Sequence, residues 1–377
     1  MTKKPRLVAS IASAALALAA LGTTVAIAPA YAATCSGTIS VMAPITGPVA
    51  FIGTEQLNFA QLAVADYNAK TGATYSIHQD DTQLDASQAS TVAPSIVANK
   101  SIIGVVGPAG SQEVLAIGGL FSANSLALVS PSATRTSLTA GTYTSFFRPI
   151  PNDGLQGPGD ATYMAKTLKA KQVFIIEEKT AYGSGLSKEV AATLKKLKVK
   201  VTKIPVNEKN ADYASVVARV SKSTNFVFVT FQDAAKSEQV AQELKKEGKK
   251  AIVFGSDGSD QPTFKTAGSY ISAFAPDVTS LSVAASVIAA YKAKYGKYTT
   301  FGPPSYVAAQ VILEAAGRAC AAGKGTDRAA VLDEIRKTNI AKTILGSRLK
   351  FTANGDVLGG RFYIFRIAAD GSHQLVG

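Results

Sequence analysis

Short apolar runs alternate with longer segments of helical periodicity along the first part of the chain. In residues 53–70, Leu57, Ala60, Val64 and Tyr67 recur near helical spacing. Strands that alternate with helices in this way predict a parallel sheet covered by helices on both faces. We therefore expect strands at 38–42, 75–78, 101–106 and 126–129, and helices at 53–70, 85–99 and 111–124.

Residues 137–158 interrupt this rhythm with a cluster of glycines and prolines, and we interpret them as a boundary between two lobes. The alternation then resumes, with strands predicted at 172–176, 199–206, 226–229 and 251–254 and helices at 185–197, 213–221 and 234–247. A mainly helical stretch covers 278–337, and short strands are expected at 348–351 and 361–367.

These elements predict an α/β protein with two doubly wound parallel-sheet lobes joined by a hinge. In the simplest arrangement, late segments of the chain return to both lobes. The N-terminal lobe is then 36–150 plus 278–345, and the C-terminal lobe is 151–277 plus 346–377. A chain of 377 residues with 47% hydrophobic and 17% charged residues is long and apolar enough for two folded domains.

Residues 1–32 have the pattern of a cleaved secretory signal peptide. Lys3, Lys4 and Arg6 precede an apolar stretch over 7–28, and Ala30-Tyr31-Ala32 has the small-x-small form of a cleavage site. The alternative is a membrane anchor, which the Ala- and Ser-rich composition and the cleavage pattern disfavour. The sequence thus predicts an exported, periplasmic protein.

The formal net charge of +13 comes mostly from lysine-rich stretches such as 195–200 and 245–250. We interpret these as solvated helix ends. Export and the absence of aromatic residues among the lysines argue against nucleic-acid binding. Attraction to an anionic membrane or partner stays open.

The two cysteines are Cys35, near the start of the mature chain, and Cys320, in a late predicted helix. In an oxidising compartment they can form one disulfide. Cys35 as a lipoprotein anchor is the alternative, although Ala32-Ala33-Thr34 lacks the usual preceding motif. The sequence does not decide between a bridge and two free thiols, because the Cα separation is not known from it.

The predicted strand 101–106 ends in the turn Gly107-Pro108-Ala109-Gly110-Ser111, after which a helix begins. The free N–H groups of a helix start and the Ser111 hydroxyl suit an anion such as a carboxylate. The alternative role of Ser111 is an ordinary helix N-cap. Ligands in such sheets lie beyond the carboxyl ends of the strands, which favours the first interpretation.

Catalytic patterns are missing from the sequence, so we predict that the protein is not an enzyme. The two histidines, His78 and His373, are far apart, and there is no Gly-x-Ser-x-Gly elbow, metal-ligand cluster or phosphate-binding loop. Asp80 and Asp81 follow a strand and are interpreted as a solvated turn. No metal and no cofactor are expected.

Six short segments together resemble the branched-chain amino-acid-binding proteins of ABC importers, which are type I periplasmic binding proteins. The resemblance covers essentially all of residues 36–370 and keeps the family's order and spacing. The segments are 43–48 (APITGP), 107–111 (GPAGS), 130–134 (SPSAT), 147–149 (FRP), 181–185 (AYGSG) and 255–258 (GSDG).

The resemblance implies a site for the backbone of a free amino acid. Ser111, the backbone around Ser132 and Ala133, and Thr134 would hold the carboxylate. Asp257 would receive the ammonium group, and Tyr182 would cover the ligand. A zwitterion requires a negative group opposite the hydroxyls, so Asp257 fits this chemistry better than a role as a turn residue capping a helix near 259–266.

The side-chain pocket departs from the family pattern. Ile52 and Pro303 replace aromatic residues, and Phe231 lies in a loop that lacks the family's paired tyrosines. The amino acid, expected to have an apolar side chain, is therefore not identified. The implied function is a monomeric solute-binding protein that delivers its ligand to an ABC permease. The alternative is a receptor for an amide, urea or aromatic carboxylate on the same fold.

Overall fold

The first sheet of the protein is built entirely from parallel strands. The computed structural model describes residues 1–2, 35–209 and 212–377, so almost all of the predicted signal peptide lies outside the described residues. The sheet order is β2-β1-β3-β4-β5. The strands are β1 (Ser36–Ala43), β2 (Thr74–Asp81), β3 (Ile102–Val106), β4 (Leu128–Val129) and β5 (Phe146–Phe147), connected by α1 (Ala50–Thr71), α2 (Ala86–Ala98) and α3 (Ser111–Ala123).

Local sequence explains the bounds of these helices. The Asp85 side chain caps α2 by accepting the backbone N–H groups of Ser87 and Gln88. At the end of α1, Gly72 adopts φ 75°, the left-handed conformation that glycine provides at helix C-termini. Strand β3, predicted at 101–106, is fully buried, rich in β-branched residues and central in the sheet, as is typical of parallel strands covered on both faces.

The segment predicted to be an irregular boundary is more ordered than its glycines and prolines indicate. It contains β5 and the start of α4 (Asp153–Thr162), which passes through Pro158 and is followed by a π-helical turn. Asn152 caps α4 by accepting the Gly154 N–H at 2.9 Å. A two-residue strand is too short to show an alternating pattern. Glycines and Pro158 disfavour a helix, so the sequence did not predict α4.

The second sheet has a parallel centre formed by β6 (Gln172–Glu178), β7 (Lys200–Val206), β8 (Phe226–Val229), β9 (Ile252–Gly255) and β10 (Tyr270–Ala273). Its helices are α5 (Ala181–Lys196), α6 (Ala214–Val217) and α7 (Ala234–Lys246). The prediction placed the start of α5 too late, because Thr180 caps it, and made α6 too long, since only one turn forms.

The late part of the chain packs helices against the first sheet and adds strands to the second. It forms α8 (Ala285–Tyr295), α9 (Gly302–Ala321), α10 (Arg328–Arg336), the antiparallel pair β11 (Asn339–Ile340) and β12 (Leu349–Lys350), then β13 (Tyr363–Ile367) and β14 (His373–Leu375). Strands β13 and β14 pair antiparallel beyond β10, giving the order β14-β13-β10-β9-β8-β6-β7. The predicted α/β class with two mostly parallel sheets is confirmed.

One apolar core joins the first sheet to the late helices. Ile39 and Val41 of β1 belong to the same buried cluster as Val307, Ile312 and other residues of α8 to α10. Cys35 and Cys320 form a disulfide with their Cα atoms 5.8 Å apart, which ties the start of β1 to the end of α9. No helix in the described residues is long and apolar enough to cross a membrane.

Candidate functional site

A small cavity lies between the two sheets, at the carboxyl ends of their strands. It encloses about 350 Å³ of empty space, part of which is open to solvent. Every lining side chain belongs to a loop or helix start that follows a strand, except for the segment before α9. The lining residues are Ile52, Leu84, Ala109, Ser111, Ser132 and Phe301 on the first-sheet side, and Tyr182, Gln232, Asp257 and Gly258 on the other.

The turn after β3 presents Ser111 to this cavity. Gly107 adopts φ 118°, and a Cβ there would lie 2.2 Å from the Met42 carbonyl oxygen, so the turn requires glycine. Gly110, not Ser111, is the N-cap of α3, and its N–H donates to Glu113 Oε2 at 2.5 Å. The alternative of Ser111 as the N-cap is therefore wrong. Its buried hydroxyl instead accepts the Arg135 N–H at 3.2 Å.

Serine hydroxyls fasten the segment after β4 to this turn. Ser132 Oγ donates to the Ala109 carbonyl at 2.9 Å and accepts Gln56 Nε2–H at 2.9 Å. The Ala133 N–H donates to Ser130 Oγ at 3.0 Å. Ala133 and Thr134 are buried and do not line the cavity, whereas Ser132 does.

The opposite wall carries the negative group. Asp257 is 4% exposed and accepts the Tyr182 hydroxyl at 2.5 Å. Burial raises the pKa of Asp257 to about 6, and the hydrogen bond from Tyr182 opposes that rise by favouring the ionised form. Burial and the neighbouring carboxylates, Asp257 first, raise the pKa of Tyr182 well above its usual value. The phenol is therefore a hydrogen-bond donor to Asp257.

Asp257 is not a cap for a helix at 259–266. Only the three-residue 3₁₀ turn Asp257–Ser259 forms there, and Ser256 precedes it as the cap position. A Cβ on Gly258 would lie 2.1 Å from the Phe231 carbonyl oxygen, so glycine lets the Asp257 turn approach the loop after β8. That approach brings Asp257 and Gln232 to the same wall.

Two residues predicted to form the side-chain wall lie elsewhere. Phe231 is fully buried in the core of the second sheet, where its ring lies 5.3 Å from that of Tyr213. Pro303 is buried in the first turn of α9. Their sequence neighbours Gln232 and Phe301 line the cavity instead. The sequence prediction found the correct loops but the wrong side chains within them.

The apolar wall consists of Ile52, Leu84 and Phe301. The Phe301 ring packs edge-on against Phe274, with centroids 5.2 Å apart. Glu55 holds the Phe301 segment by accepting the Gly302 N–H at 2.6 Å and the Thr299 N–H at 2.8 Å. Sequence reasoning missed Leu84 and Phe301. The position of Leu84 just after β2, at the carboxyl edge of the sheet, was the available signal.

Polar contacts join the two sides of the cavity. Gln112 Nε2 donates to Gln232 Oε1 at 3.2 Å and to the Leu84 carbonyl at 2.9 Å. The Arg135 guanidinium donates to the Ala181 carbonyl at the start of α5. These contacts link α3 and the segment after β4 to loops of the second sheet.

Within residues 35–209 and 212–377, no cluster of His, Cys, Asp and Glu suits a metal ion. Each histidine pairs with one aspartate. His78 Nδ1 lies 2.9 Å from Asp80, and His373 Nδ1 lies 2.8 Å from Asp260. Asp80 also accepts the Ser40 hydroxyl at 2.7 Å, and Asp81 accepts N–H groups of the turn at 45–46. Asp80 and Asp81 thus end β2 and serve local structure, and the predicted solvated turn is wrong for Asp80, which is buried.

A family model described as periplasmic binding protein matches residues 37–372. The Leu/Ile/Val-binding protein homolog 3 of Brucella melitensis is 29% identical over 349 residues, which cover 89% of this chain and 93% of the relative. A leucine-binding protein from Thermotoga maritima superposes with a TM-score of 0.82 at 22% identity, covering 90% of this chain and 98% of that one.

The branched-chain amino acid transporter substrate-binding protein LivJ of Streptococcus pneumoniae, solved with isoleucine, superposes with a TM-score of 0.80 at 22% identity. The match covers 90% of this chain and 99% of that one. At this identity the two structural likenesses establish the fold. Since the family model spans nearly the whole chain after residue 36, the chain belongs to the periplasmic binding protein family.

Proposed function

We propose that this protein is an extracytoplasmic solute-binding protein of an ABC importer that closes two lobes on a free amino acid with an apolar side chain. The observation that carries the proposal is the bipolar cavity, with hydroxyls and a helix start on one wall and buried Asp257 on the other. A zwitterion matches both walls at once.

The carboxylate would lie against the Ser111 hydroxyl and the first N–H groups of α3. Helix N-termini attract anions because several of their N–H groups have no intrahelical partner. Ser132 lies on the same wall, and its chain neighbours Ala133 and Thr134 are buried without lining the cavity. The ammonium would bind Asp257, which Tyr182 orients. Charge-assisted hydrogen bonds of this kind contribute about 1.5–3 kcal/mol each.

The side chain of the amino acid would contact Ile52, Leu84 and Phe301. This wall is apolar, so burying an aliphatic group there removes apolar surface from water. Relatives whose names specify Leu/Ile/Val binding, and the isoleucine complex of a structural neighbour, support an aliphatic ligand. Gln232 is a polar residue of the cavity lining, and its Oε1 accepts a hydrogen bond from Gln112.

To deliver its amino acid to a permease, the protein must be exported and must close its two lobes on the ligand. The pattern of residues 1–32 supports export to the periplasm, and contacts such as Gln112 with Gln232 would stabilise the closed form that a permease recognises. The core that joins β1 to α9 supports the assignment of the late helices to the N-terminal lobe. We propose a binding role without catalysis, as in the family, and a monomer.

The test is a calorimetric and thermal-shift screen of the twenty amino acids. Tight binding of leucine, isoleucine or valine is expected. Each positive ligand is then compared with its deaminated acid and its decarboxylated amine, both of which should bind at least about 100-fold more weakly because each lacks one charged group.

Asp257→Ala should abolish tight binding, whereas the control Glu243→Ala, on the outer end of α7, should not. A protein that binds the deaminated acid as well as the amino acid would support the alternative class of ligand, an aromatic or aliphatic carboxylate. Turnover of a bound solute would reverse the non-catalytic assignment.

A further inference from the structure

Asp153 is a fully buried carboxyl group whose Oδ2 faces Gly185 of α5, one turn after Tyr182, which lines the cavity. It is the first residue of α4, and its N–H donates to the Thr134 carbonyl at 2.9 Å. Neither of its carboxylate oxygens has a well-aligned hydrogen-bond partner within the described part of the chain. The Thr134 hydroxyl faces it without reaching hydrogen-bond geometry. A buried carboxylate without partners is costly in its charged form.

The charges around Asp153 do not neutralise it. Arg148 binds Asp356 at 2.6 Å and the Ala133 and Arg135 carbonyls at 2.9 Å. Arg135 donates to the Ala181 carbonyl and to Ser137 Oγ. Both guanidinium groups bind other acceptors, so they only partly oppose the rise in the pKa of Asp153 that burial causes. The ionisable groups that face Asp153 are Asp257, Tyr182 and Asp160 along with these two arginines.

Two carboxyl groups that share a water-poor site do not both ionise readily, and their protons come off as those of a pair. Burial, and after it the negative charge of Asp257, raise the pKa of Asp153 to about 7. Burial raises the pKa of Asp257 to about 6. Asp160 lies deeper, where it accepts the Ser272 hydroxyl at 2.9 Å, and its pKa is also well above the usual value because of burial.

We propose that Asp153 and Asp257 act as one acidic pair that holds a proton in the ligand-free site and releases it when the ammonium group of an amino acid binds. This inference rests on the proposed function. The ligand keeps all three protons of its ammonium group, the pair loses one proton, and that proton passes to solvent. Amino-acid binding is thereby coupled to proton release, and affinity falls as pH drops through the raised pKa values of the pair.

Calorimetry with L-leucine, L-isoleucine and L-valine tests the proposal on the full mature protein. The titrations are repeated in buffers of different ionisation enthalpy, whose slope gives the number of protons exchanged. At about pH 6.5 the expected release is about 0.5–1 proton per ligand, falling close to zero at about pH 8.5. The dissociation constant should rise about tenfold between about pH 7.5 and about pH 5.5.

Asp153→Asn should still bind but should release only about 0.2–0.3 proton at about pH 6.5, because Asp257, with a pKa of about 6, is already mostly ionised at that pH. Asp80→Asn, which changes a buried aspartate outside the cavity, should release as much as the wild type. If the heat of amino-acid binding to the wild type does not depend on the buffer, the proposal is overturned and the proposed function stays intact. This outcome decides the question even if Asp153→Asn does not fold. Binding of none of the three amino acids overturns both.

Discussion

The phenolic hydroxyl of Tyr182 donates a 2.5 Å hydrogen bond to Asp257, and both groups are almost completely buried. Tyr182 lies in the first turn of α5 and Asp257 follows β9, so two separate segments of the second-sheet side meet at one point. The tyrosine predicted to cover the ligand is thus also the residue that favours the charged form of the acid. This pairing makes Asp257 available as a carboxylate in a site that would otherwise favour its protonated form.

Tyr182→Phe should weaken amino-acid binding by about tenfold or more while leaving the ring in place. Without the donor, Asp257 holds its proton to a higher pH, so the loss of affinity on acidification should begin at a higher pH than in the wild type. Titrations across pH measure both effects. Tyr163→Phe, outside the cavity, is the control. An unchanged dissociation constant in Tyr182→Phe would reduce Tyr182 to a packing role.

Phe301→Leu should shift specificity towards larger side chains. The smaller residue opens space between Ile52 and Phe274, so phenylalanine or methionine should gain relative to valine. Differences of one or a few methylene groups in an apolar pocket correspond to about 1–3 kcal/mol, or about 10–200-fold in relative affinity. Competition titrations measure the ratio of the affinities for the larger amino acids and for valine. Leu155→Ala, at a half-exposed leucine, should leave it unchanged, and an unchanged ratio in Phe301→Leu would remove Phe301 from the specificity wall.

Replacing both cysteines, with Cys35→Ser and Cys320→Ser together, should lower the free energy of unfolding by about 2–4 kcal/mol. The bridge spans 285 residues, so its loss frees a very long loop in the unfolded chain. Guanidinium unfolding of the oxidised wild type and the double variant gives the difference. Leucine affinity should change less than about twofold, because Cys320 lies at the opposite end of α9 from Phe301. Equal stability of the two proteins would contradict the prediction.

His373→Asn should destabilise the protein at acidic pH and much less at alkaline pH. Burial lowers the pKa of His373, but the hydrogen bond and charge of Asp260 outweigh it and raise the pKa above its usual value. The stabilisation is therefore complete below the unfolded-state pKa and is lost as pH rises through the folded-state pKa.

Urea unfolding at about pH 5.5 and about pH 9 should show a larger deficit, of about 1 kcal/mol, at the lower pH. The Asp260–His373 pair also borders Thr300, which donates to Asp260 and precedes Phe301. A deficit that is equal at both values would mean that the imidazole contributes only packing.

Sequence reasoning recovered the fold class and most elements, because apolar periodicity and turn residues are local properties. It found the loops that form the cavity for the same reason: they follow predicted strands. It failed at β5 and α4, where a two-residue strand shows no alternation and glycines and prolines mask a helix capped by Asn152. Asp153 was overlooked with them.

The sequence by itself determined that Ser111 and Asp257 each follow the carboxyl end of a strand, and that the chain carries the motifs of its family. Only the tertiary structure decided that Gln232 and Phe301, not Phe231 and Pro303, line the cavity, and that Cys35 meets Cys320. The physical reason is distance along the chain. Strand and helix patterns act over a few residues, whereas the direction of a loop side chain and the contact of residues far apart in sequence depend on the packing of the whole molecule.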